Sequence, residues 1–317
     1  MAFYKGEDRN QAGASSLPAP QPSTTESAAK TLPGSDPNLI KVFDEFGREL
    51  FITKEHWRIN VLPGSLKSNW DHPEKLYGVV VGSLNDGFFQ DVLVAAQHLQ
   101  CIDPNRARGA CTYAIVLMKN NRLDEAEAVI RSHIQAHGEV GYILTNLAKV
   151  FAARNEMQKA FDTLWHALEL DPNQDNGLAW YAILCREQSG SSGWDQALAR
   201  VAALPNSWRA QIWLARQALE AHNLEAALGY YDQALLRIGE TVPSDALMQI
   251  GGDLGKHGHL KESIELTEPR FVPQLHGLAV GNNLIKAHLD LGQLEAARKT
   301  LDQLYSLNPT SAVSGAL

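Results

Sequence analysis

The chain has 317 residues, of which 44% are hydrophobic and 20% are charged, and this ordinary globular composition excludes a wholly disordered or collagen-like protein. Its 28 basic and 36 acidic residues give a formal net charge of −8, which argues against a nucleic-acid binder that works through bulk charge. The length is ample for one elongated domain or two compact ones.

Residues 1–37 form the first segment and hold 5 of the chain's 14 prolines, separated by Ala, Ser, Thr and Gly. A segment with so few apolar residues cannot bury a core, so we predict a disordered arm. Its opening, MAFYKGEDRNQAGASS, contains no apolar stretch of the kind found in secretory signals, and we therefore expect a cytoplasmic protein.

Residues 38–72 form the second predicted segment, a β-hairpin followed by short helices. Two apolar runs within 39–52 flank a turn that contains Gly47, which indicates a hairpin. Thr53 is a suitable N-cap for a short helix, and Pro63 with Gly64 is expected to break that helix. An isolated hairpin is marginally stable in water, so this one must lean on the first helices that follow.

From residue 73 onward the chain repeats with a period of about 34 residues. The segments TNLAKVFAARNEMQKAFDTLWHALELDPN (145–173) and NNLIKAHLDLGQLEAARKTLDQLYSLNPT (282–310) align in register, so that Leu147 meets Leu284 and Pro172 meets Pro309. A small residue recurs in the middle of the second predicted helix of each unit: Ala126, Ala160, Ala197, Ala227, Ser263 and Ala297. One more unit fits upstream, with Val92 in that place and Pro104 at its end.

This pattern resembles the tetratricopeptide repeat family, whose 34-residue unit is two helices joined by a tight turn. The stretches VFDEFGREL, WDHPEKLYGVVVGSL and WHALELDPNQDNGLAWYAIL are similar to bacterial tetratricopeptide proteins of uncharacterised role. The resemblance implies an all-α fold, a right-handed α-solenoid of about seven helix pairs over residues 73–310, followed by a tail at 311–317. It also implies a concave face, lined by the first helix of each pair, that binds extended peptides or partner helices.

Two units depart from the pattern. The fourth carries an insert, SGSSG (189–193), between its predicted helices. The sixth has Gly251 and Gly252 in its first helix and Pro269 in its second, so we expect it to be the most irregular.

The register of the family implies which first-helix residues face the groove. Among the charged ones, eight are basic (Arg108, Lys119, Lys149, Arg186, Arg209, Arg216, Lys256 and Lys286) and four are acidic (Glu187, Glu220, Asp245 and Asp290). One interpretation is an ordinary mixed, solvated helix face; the other is a mildly basic groove for an acidic peptide. Four uncharged residues complete the predicted peptide-binding groove: Asn146, Trp180, Trp213 and Asn283.

No catalytic or metal-binding pattern is recognised. His133 and His137 are four residues apart but lack the Glu of a zinc-protease motif, and His257 with His259 falls in a predicted turn. We therefore predict no enzyme activity, no metal and no cofactor. No run approaches the roughly 18 apolar residues of a membrane span, so no membrane partner is expected.

Two functional hypotheses stay open: a non-catalytic scaffold that binds a protein or peptide, and an enzyme or enzyme subunit with a site at the hairpin end of the solenoid. The last repeat has no following repeat to cover it. We expect its apolar edge to meet a second copy of the chain or a partner protein.

The cysteines Cys101, Cys111 and Cys185 all fall in apolar helical patterns. Their odd number and placement predict free, buried thiols in a reducing compartment.

Overall fold

The computed structural model describes residues 4–5, 38–43 and 46–306. Apart from Tyr4 and Lys5, the predicted arm lies outside the described residues, as do Pro309 and the predicted tail. The chain divides into two compact units, residues 1–164 and 165–317, and each is described by itself.

A small antiparallel sheet opens the first unit. Its strands are β1 (Tyr4–Lys5), β2 (Leu39–Phe43) and β3 (Glu49–Thr53), in the spatial order β1-β2-β3. β2 and β3 form the predicted hairpin, with Ile40 opposite Ile52 and Val42 opposite Leu50. Ile40 and Val42 are buried, so this face of β2 packs onto the protein as the hairpin prediction requires.

Two short helices follow the sheet, α1 (Lys54–Asn60) and α2 (Leu62–Ser68). Thr53 caps α1 as predicted, because its side-chain oxygen accepts a hydrogen bond from the backbone N–H of His56 at 3.2 Å. The helix that begins after Thr53 ends at Asn60, ahead of Pro63, as the predicted break requires. Pro63 lies in the first turn of α2, where proline lacks only an N–H that would be unpaired anyway.

Seven helix pairs make up the rest of the described chain, from Pro73 to Tyr305. In order they are α3 (Pro73–Asp86) with α4 (Leu93–Ile102), α5 (Arg106–Lys119) with α6 (Leu123–His137), α7 (Gly141–Ala153) with α8 (Met157–Leu170), α9 (Asp175–Ser189) with α10 (Ser191–Ala202), α11 (Arg209–Glu220) with α12 (Leu224–Ile238), α13 (Ser244–Lys256) with α14 (Leu260–Thr267), and α15 (Pro273–Asp290) with α16 (Leu294–Tyr305). The predicted all-α repeat fold is confirmed.

The recurring small residues are buried in the second helices, as predicted. Ala126, Ala160 and Ala227 have no exposed surface, and the same is true of Val92 just ahead of α4. Ser263 in the sixth pair is 5% exposed. A small side chain at this position allows two helices to approach closely, whereas a larger one would overpack the crossing.

A left-handed residue marks the turn inside each pair. The residues are Gly87, Asn121, Asn155, Gly190, His222, Gly258 and Gly292, with φ between 57° and 91°. Glycine adopts this conformation without strain, and asparagine tolerates it better than most residues. Each turn thus reverses the chain tightly enough for the second helix to pack back on the first.

The fourth and sixth pairs, which were predicted to be irregular, differ from that prediction in where their turns and helix ends lie. The SGSSG insert is not a loop, because Gly190 alone makes the turn and Ser191 already begins α10. In the sixth pair, α13 runs without a break through both glycines, whereas α14 has only 8 residues and continues as a 3-10 turn, Glu268–Arg270, around Pro269. The predicted irregularity therefore lies in the second helix of that pair.

Each unit has its own apolar interior. In the first unit, Leu76, Leu99 and Leu117 are fully buried contributions from α3, α4 and α5. In the second unit, a cluster from α11 to α15 is built around Tyr231 and Ile250, both fully buried. Burial of such side chains contributes about 1.5–3 kcal/mol each, and it is this packing that holds neighbouring pairs together.

Candidate peptide-binding site

All predicted groove residues lie on the first helices of their pairs. The first unit contains Arg108 and Lys119 on α5 and Asn146 and Lys149 on α7. The second unit contains the remaining eight basic and uncharged ones, on α9, α11, α13 and α15: Trp180, Arg186, Arg209, Trp213, Arg216, Lys256, Asn283 and Lys286. Their shared role in binding stays a prediction, but their local surroundings differ sharply.

Arg108 is engaged within the protein. Its guanidinium donates to Asp103, a carboxylate with no exposed surface, at 2.8 and 2.9 Å, and to Glu74 at 2.6 and 2.8 Å. Hydrogen bonds to Glu74 and Asp103 raise the pKa of Arg108. Since Glu74 lies on α3, this arginine joins two neighbouring pairs and its charge is already compensated.

Lys149 has a different environment. Its side chain is half-buried, and burial lowers the pKa of its ammonium, as does the positive charge of Lys119, while Cys111 acts in the opposite direction. None of these groups is a carboxylate. A half-buried cation without an anionic partner is costly for the protein alone, and that cost is relieved when an anion arrives.

Asn146 and Cys111 lie beside this lysine. Asn146 donates through Nδ2 to the carbonyl oxygen of Tyr142 at 2.8 Å and to the sulfur of Cys111 at 3.3 Å. Its Oδ1 is buried and has no hydrogen-bond partner among the described residues. Burial raises the pKa of Cys111 to about 12, so the thiol is neutral and unreactive at physiological pH.

A shallow cleft borders Lys119. Lys119 places its ammonium 5.7 Å from the centre of the Phe89 ring, and the cleft continues past Asp91 to Arg58 on α1. Arg58 is 3.6 Å from Asp91. Lys119 itself is exposed at the end of α5.

Arg209, in the second unit, is the most buried of the predicted cations. Its guanidinium bonds to Asp175 at 3.2 Å, to Asp245 and to the backbone oxygen of Asn173. A residue only 6% exposed with three such partners has a structural role.

Arg216 also has a carboxylate partner. It lies 2.9 Å from Asp253, whose other oxygen is 3.4 Å from the hydroxyl of Tyr231. Burial raises the pKa of Asp253 despite the opposing effect of Arg216.

An aromatic cluster occupies the same unit. Trp213 stacks on Trp194, with ring centres 6.0 Å apart and planes 9° from parallel, and Arg186 lies over the Trp194 ring at 5.6 Å. Trp180 is half-buried, and the indole N–H of Trp213 is buried without a partner among the described residues. Sequence reasoning missed Trp194 because it lies in the first turn of a second helix, α10, rather than on a first helix.

The last predicted groove residues, Asn283 and Lys286, are exposed on α15. Asn283 donates to the sulfur of Met248 at 3.4 Å, and Lys286 is 3.4 Å from Asp290.

The predicted surplus of basic groove residues needs correction. Arg108, Arg209, Arg216 and Lys286 each have a carboxylate within 4.0 Å. Counting first-helix groove positions overlooked Glu74, Asp103, Asp175 and Asp253. Three of these carboxylates are 34 to 37 residues from their arginines. Opposite charges one repeat apart in the sequence would therefore have predicted these ion pairs.

The predictions for the cysteines, a metal site and a membrane span can each be compared with the structure. Cys111 is buried as expected, but Cys185 is only half-buried, and Cys101 is exposed because it lies on the solvent side of α4. Within the described residues, no three His, Cys, Asp or Glu side chains are grouped as a metal ion would require. The described helices also include none that is both long and apolar enough to cross a membrane.

No protein-family model matches the sequence, and no curated protein matches it. Among solved structures, the chain is similar to Naa15/Naa10 bound to HypK-THB, with 18% identity, a TM-score of 0.35, and coverage of 75% of this chain and 37% of that one. It is similar to a tetratricopeptide repeat protein from Parabacteroides merdae, with 15% identity, a TM-score of 0.32, and coverage of 74% and 93%. It is also similar to yeast Tom70, with 16% identity, a TM-score of 0.39, and coverage of 71% and 46%. The chain thus spans less than half the length of the first and third of these.

The fold itself follows from features internal to the chain. Each described pair from α3 to α16 has a left-handed residue at its inner turn, and a small or buried apolar residue recurs in or beside its second helix at intervals near 34 residues. This chain therefore has the tetratricopeptide-like helical-repeat fold that its sequence resembles.

Proposed function

We propose that this chain is a non-catalytic protein-interaction module that binds a carboxylate-bearing, extended segment of a partner protein over Lys119 and Lys149. The observation that carries the proposal is the environment of Lys149, a half-buried cation whose pKa is lowered by burial and by a second cation, with no carboxylate of the described residues acting on it. The other groove cations that are at least half-buried, Arg108, Arg209 and Arg216, already have carboxylate partners.

An acidic ligand gains more from this site than from an ordinary surface lysine. The ammonium of Lys149 has already lost part of its hydration, so a carboxylate that reaches it interacts through a less polar medium. Lys119 adds a second, exposed charge that guides the ligand to the site. The unpaired Oδ1 of Asn146 supplies an acceptor for a backbone N–H once the side chain adjusts.

The proposal changes which residues should be tested. Reversing Lys149 and Arg216 together follows from the sequence pattern, but Arg216 compensates the half-buried Asp253. Its loss would leave a desolvated carboxylate unpaired and weaken the fold. Lys119 and Lys149 are the appropriate pair because both lie in the first unit and neither compensates a carboxylate in the part of the chain that the structure describes.

The experiment measures the fluorescence anisotropy of a labelled, extended Glu-rich peptide and of its Gln counterpart. We expect the Glu peptide to bind more tightly, the binding to weaken with added salt, and the double variant Lys119→Glu/Lys149→Glu to lose it. Lys261→Glu is the control, because Lys261 is also exposed on a helix but lies in the second unit. Equal binding of both peptides, or unchanged binding by the double variant, would overturn the proposal.

A further inference from the structure

The outer edge of strand β3 is open in the described part of the chain. The sheet order is β1-β2-β3, so β3 pairs with β2 on one side only. An edge strand presents unpaired backbone N–H and C=O groups, and proteins normally protect such an edge with lysine, proline or a covering segment. β3 reads ELFIT and contains neither lysine nor proline.

The hydrogen-bond register shows which residues of β3 face the open edge. The backbone N–H of Lys54 donates to the carbonyl of Asn38 at 2.8 Å, so this pair is a directly bonded one. In an antiparallel ladder such pairs alternate, which makes Ile52 with Ile40 and Leu50 with Val42 the next bonded pairs. Glu49, Phe51 and Thr53 therefore turn their backbone groups away from β2.

The side chains along this edge are unusually apolar for a solvated strand. Leu50 is 39% exposed and Phe51 is 37% exposed, although both lie in a sheet. Nearby, Phe46 in the hairpin turn and Ile59 on α1 are 76% and 58% exposed. An exposed apolar edge of this kind marks a place where another strand pairs.

We propose that the β3 edges of two copies of this chain pair in an antiparallel, two-fold symmetric manner, which joins their sheets into one. A two-fold axis beside Phe51 gives the register in which all five residues of β3 are paired, through the outward-facing backbone N–H and C=O groups of Glu49, Phe51 and Thr53. It places Phe51 opposite Phe51 of the second copy, Leu50 opposite Ile52, and Glu49 opposite Thr53.

This register is self-complementary. Apolar side chains meet apolar ones on both faces of the sheet, and within the strand no charged residue meets a like charge. Glu49 already pairs with Lys41 of β2, so its charge is compensated when it approaches the second copy. A two-fold contact needs one patch that fits itself, and β3 meets that condition.

A contact made mainly by one short strand is small, so the dimer should be weak and should form as concentration rises. Analytical ultracentrifugation across a micromolar concentration series measures it. For the wild-type chain we expect the average mass to rise from monomer towards dimer.

Introducing a charge at Phe51, beside the two-fold axis, tests the register. Phe51→Lys and Phe51→Glu should each abolish the dimer, because two like charges would meet across the axis, whereas an equal mixture of the two variants should restore it as a heterodimer. Circular dichroism checks that both variants fold, which is expected because the Phe51 side chain lies on the outer face of the sheet with Lys41. Leu301→Lys, on a side chain 40% exposed in α16, is the matched control and should dimerise like the wild type.

Three results would overturn the proposal: a wild-type chain that stays monomeric throughout, single variants that dimerise unchanged, or a dimer that only Leu301→Lys abolishes. The last result would assign the contact to the final repeat instead. None of these outcomes depends on the acidic peptide, so the test is independent of the proposed function.

Discussion

At the scale of single residues, Lys149 is where we expect stability and the proposed binding to be linked. Its ammonium is half-buried and its pKa is lowered, so the charged form costs the folded state free energy. Replacing Lys149 by Met keeps the length and helix propensity of the side chain and removes the charge. We expect Lys149→Met to raise the free energy of unfolding by about 0.5–2 kcal/mol and to abolish acidic-peptide binding.

Chemical denaturation and the anisotropy assay measure these two effects. Lys261→Met, at an exposed lysine, is the control and should change neither quantity appreciably. A Lys149→Met protein that is less stable than the wild type would show that the ammonium has a favourable partner in the folded chain.

Cys111 predicts a specific loss of stability in alkali. Burial raises its pKa from 9.0 to about 12, so the folded protein keeps a proton that the unfolded chain releases. The unfolded state therefore binds fewer protons between these values, and the free energy of unfolding falls as pH rises from about 9 to about 12. Cys111→Ala should make this slope shallower.

The slope is measured by denaturant unfolding at a series of alkaline pH values. Cys101→Ala, which removes an exposed thiol, should leave the slope as in the wild type. If the two variants have the same slope, the thiol of Cys111 does not titrate differently in the folded and unfolded states.

At the scale of elements, two glycines of the sixth pair differ in whether their backbone conformation suits another residue. Gly252 lies inside helix α13 with helical backbone angles, and a methyl group added there meets no atom within 4 Å. Gly258 ends the turn after α13 with φ at 80°. Gly252→Ala should stabilise the protein by about 0.5–1 kcal/mol, whereas Gly258→Ala should destabilise it, because alanine strains the left-handed turn.

Thermal melting of the two variants side by side tests this assignment of helix and turn. Each variant is the control for the other, since both add one methyl group within the same repeat. Stabilisation by Gly258→Ala, or a clear loss with Gly252→Ala, would contradict the positions of α13 and its turn.

The final pair is expected to present an apolar surface. On α16, Leu294 is 67% exposed, Leu301 40% and Tyr305 37%, and they recur along one side of the helix. A hydrophobic dye should bind to the wild-type chain, and Leu294→Ser/Leu301→Ser should reduce its fluorescence. The exposed pair Lys299→Ser/Asp302→Ser is the control; equal fluorescence in all three proteins would mean that this surface is covered.

At the scale of the whole molecule, the composition of residues 1–37 predicts that the arm adds little to stability. The described part of it is the two-residue strand β1, which pairs with β2 through Tyr4 and Lys5. Deleting residues 1–37 should shift the melting midpoint only slightly. Deleting residues 1–53 should lower it clearly, because Ile40 and Val42 are buried. A large loss from the shorter deletion would show that the arm packs on the folded chain.

Much of the fold followed from the sequence alone. The recurrence of small residues near a 34-residue interval placed each second helix, and every one of those residues in the described chain is buried. Pro104 and Pro172 marked where α4 and α8 end, because proline cannot continue a helix. These features depend on local spacing and backbone conformation, which are readable within one repeat.

The candidate site depended on tertiary structure. Arg108 and Lys149 look alike in sequence, since both are cations on first helices. Packing between neighbouring pairs brings Glu74 and Asp103 to Arg108, whereas it half-buries Lys149 beside Lys119 and brings no carboxylate of the described residues to it. The sequence by itself determined the repeating helix pairs and which residues are charged. Only the packing of one repeat against the next decided which charges are compensated, because the free energy of a charge depends on its neighbours and on its exposure to water.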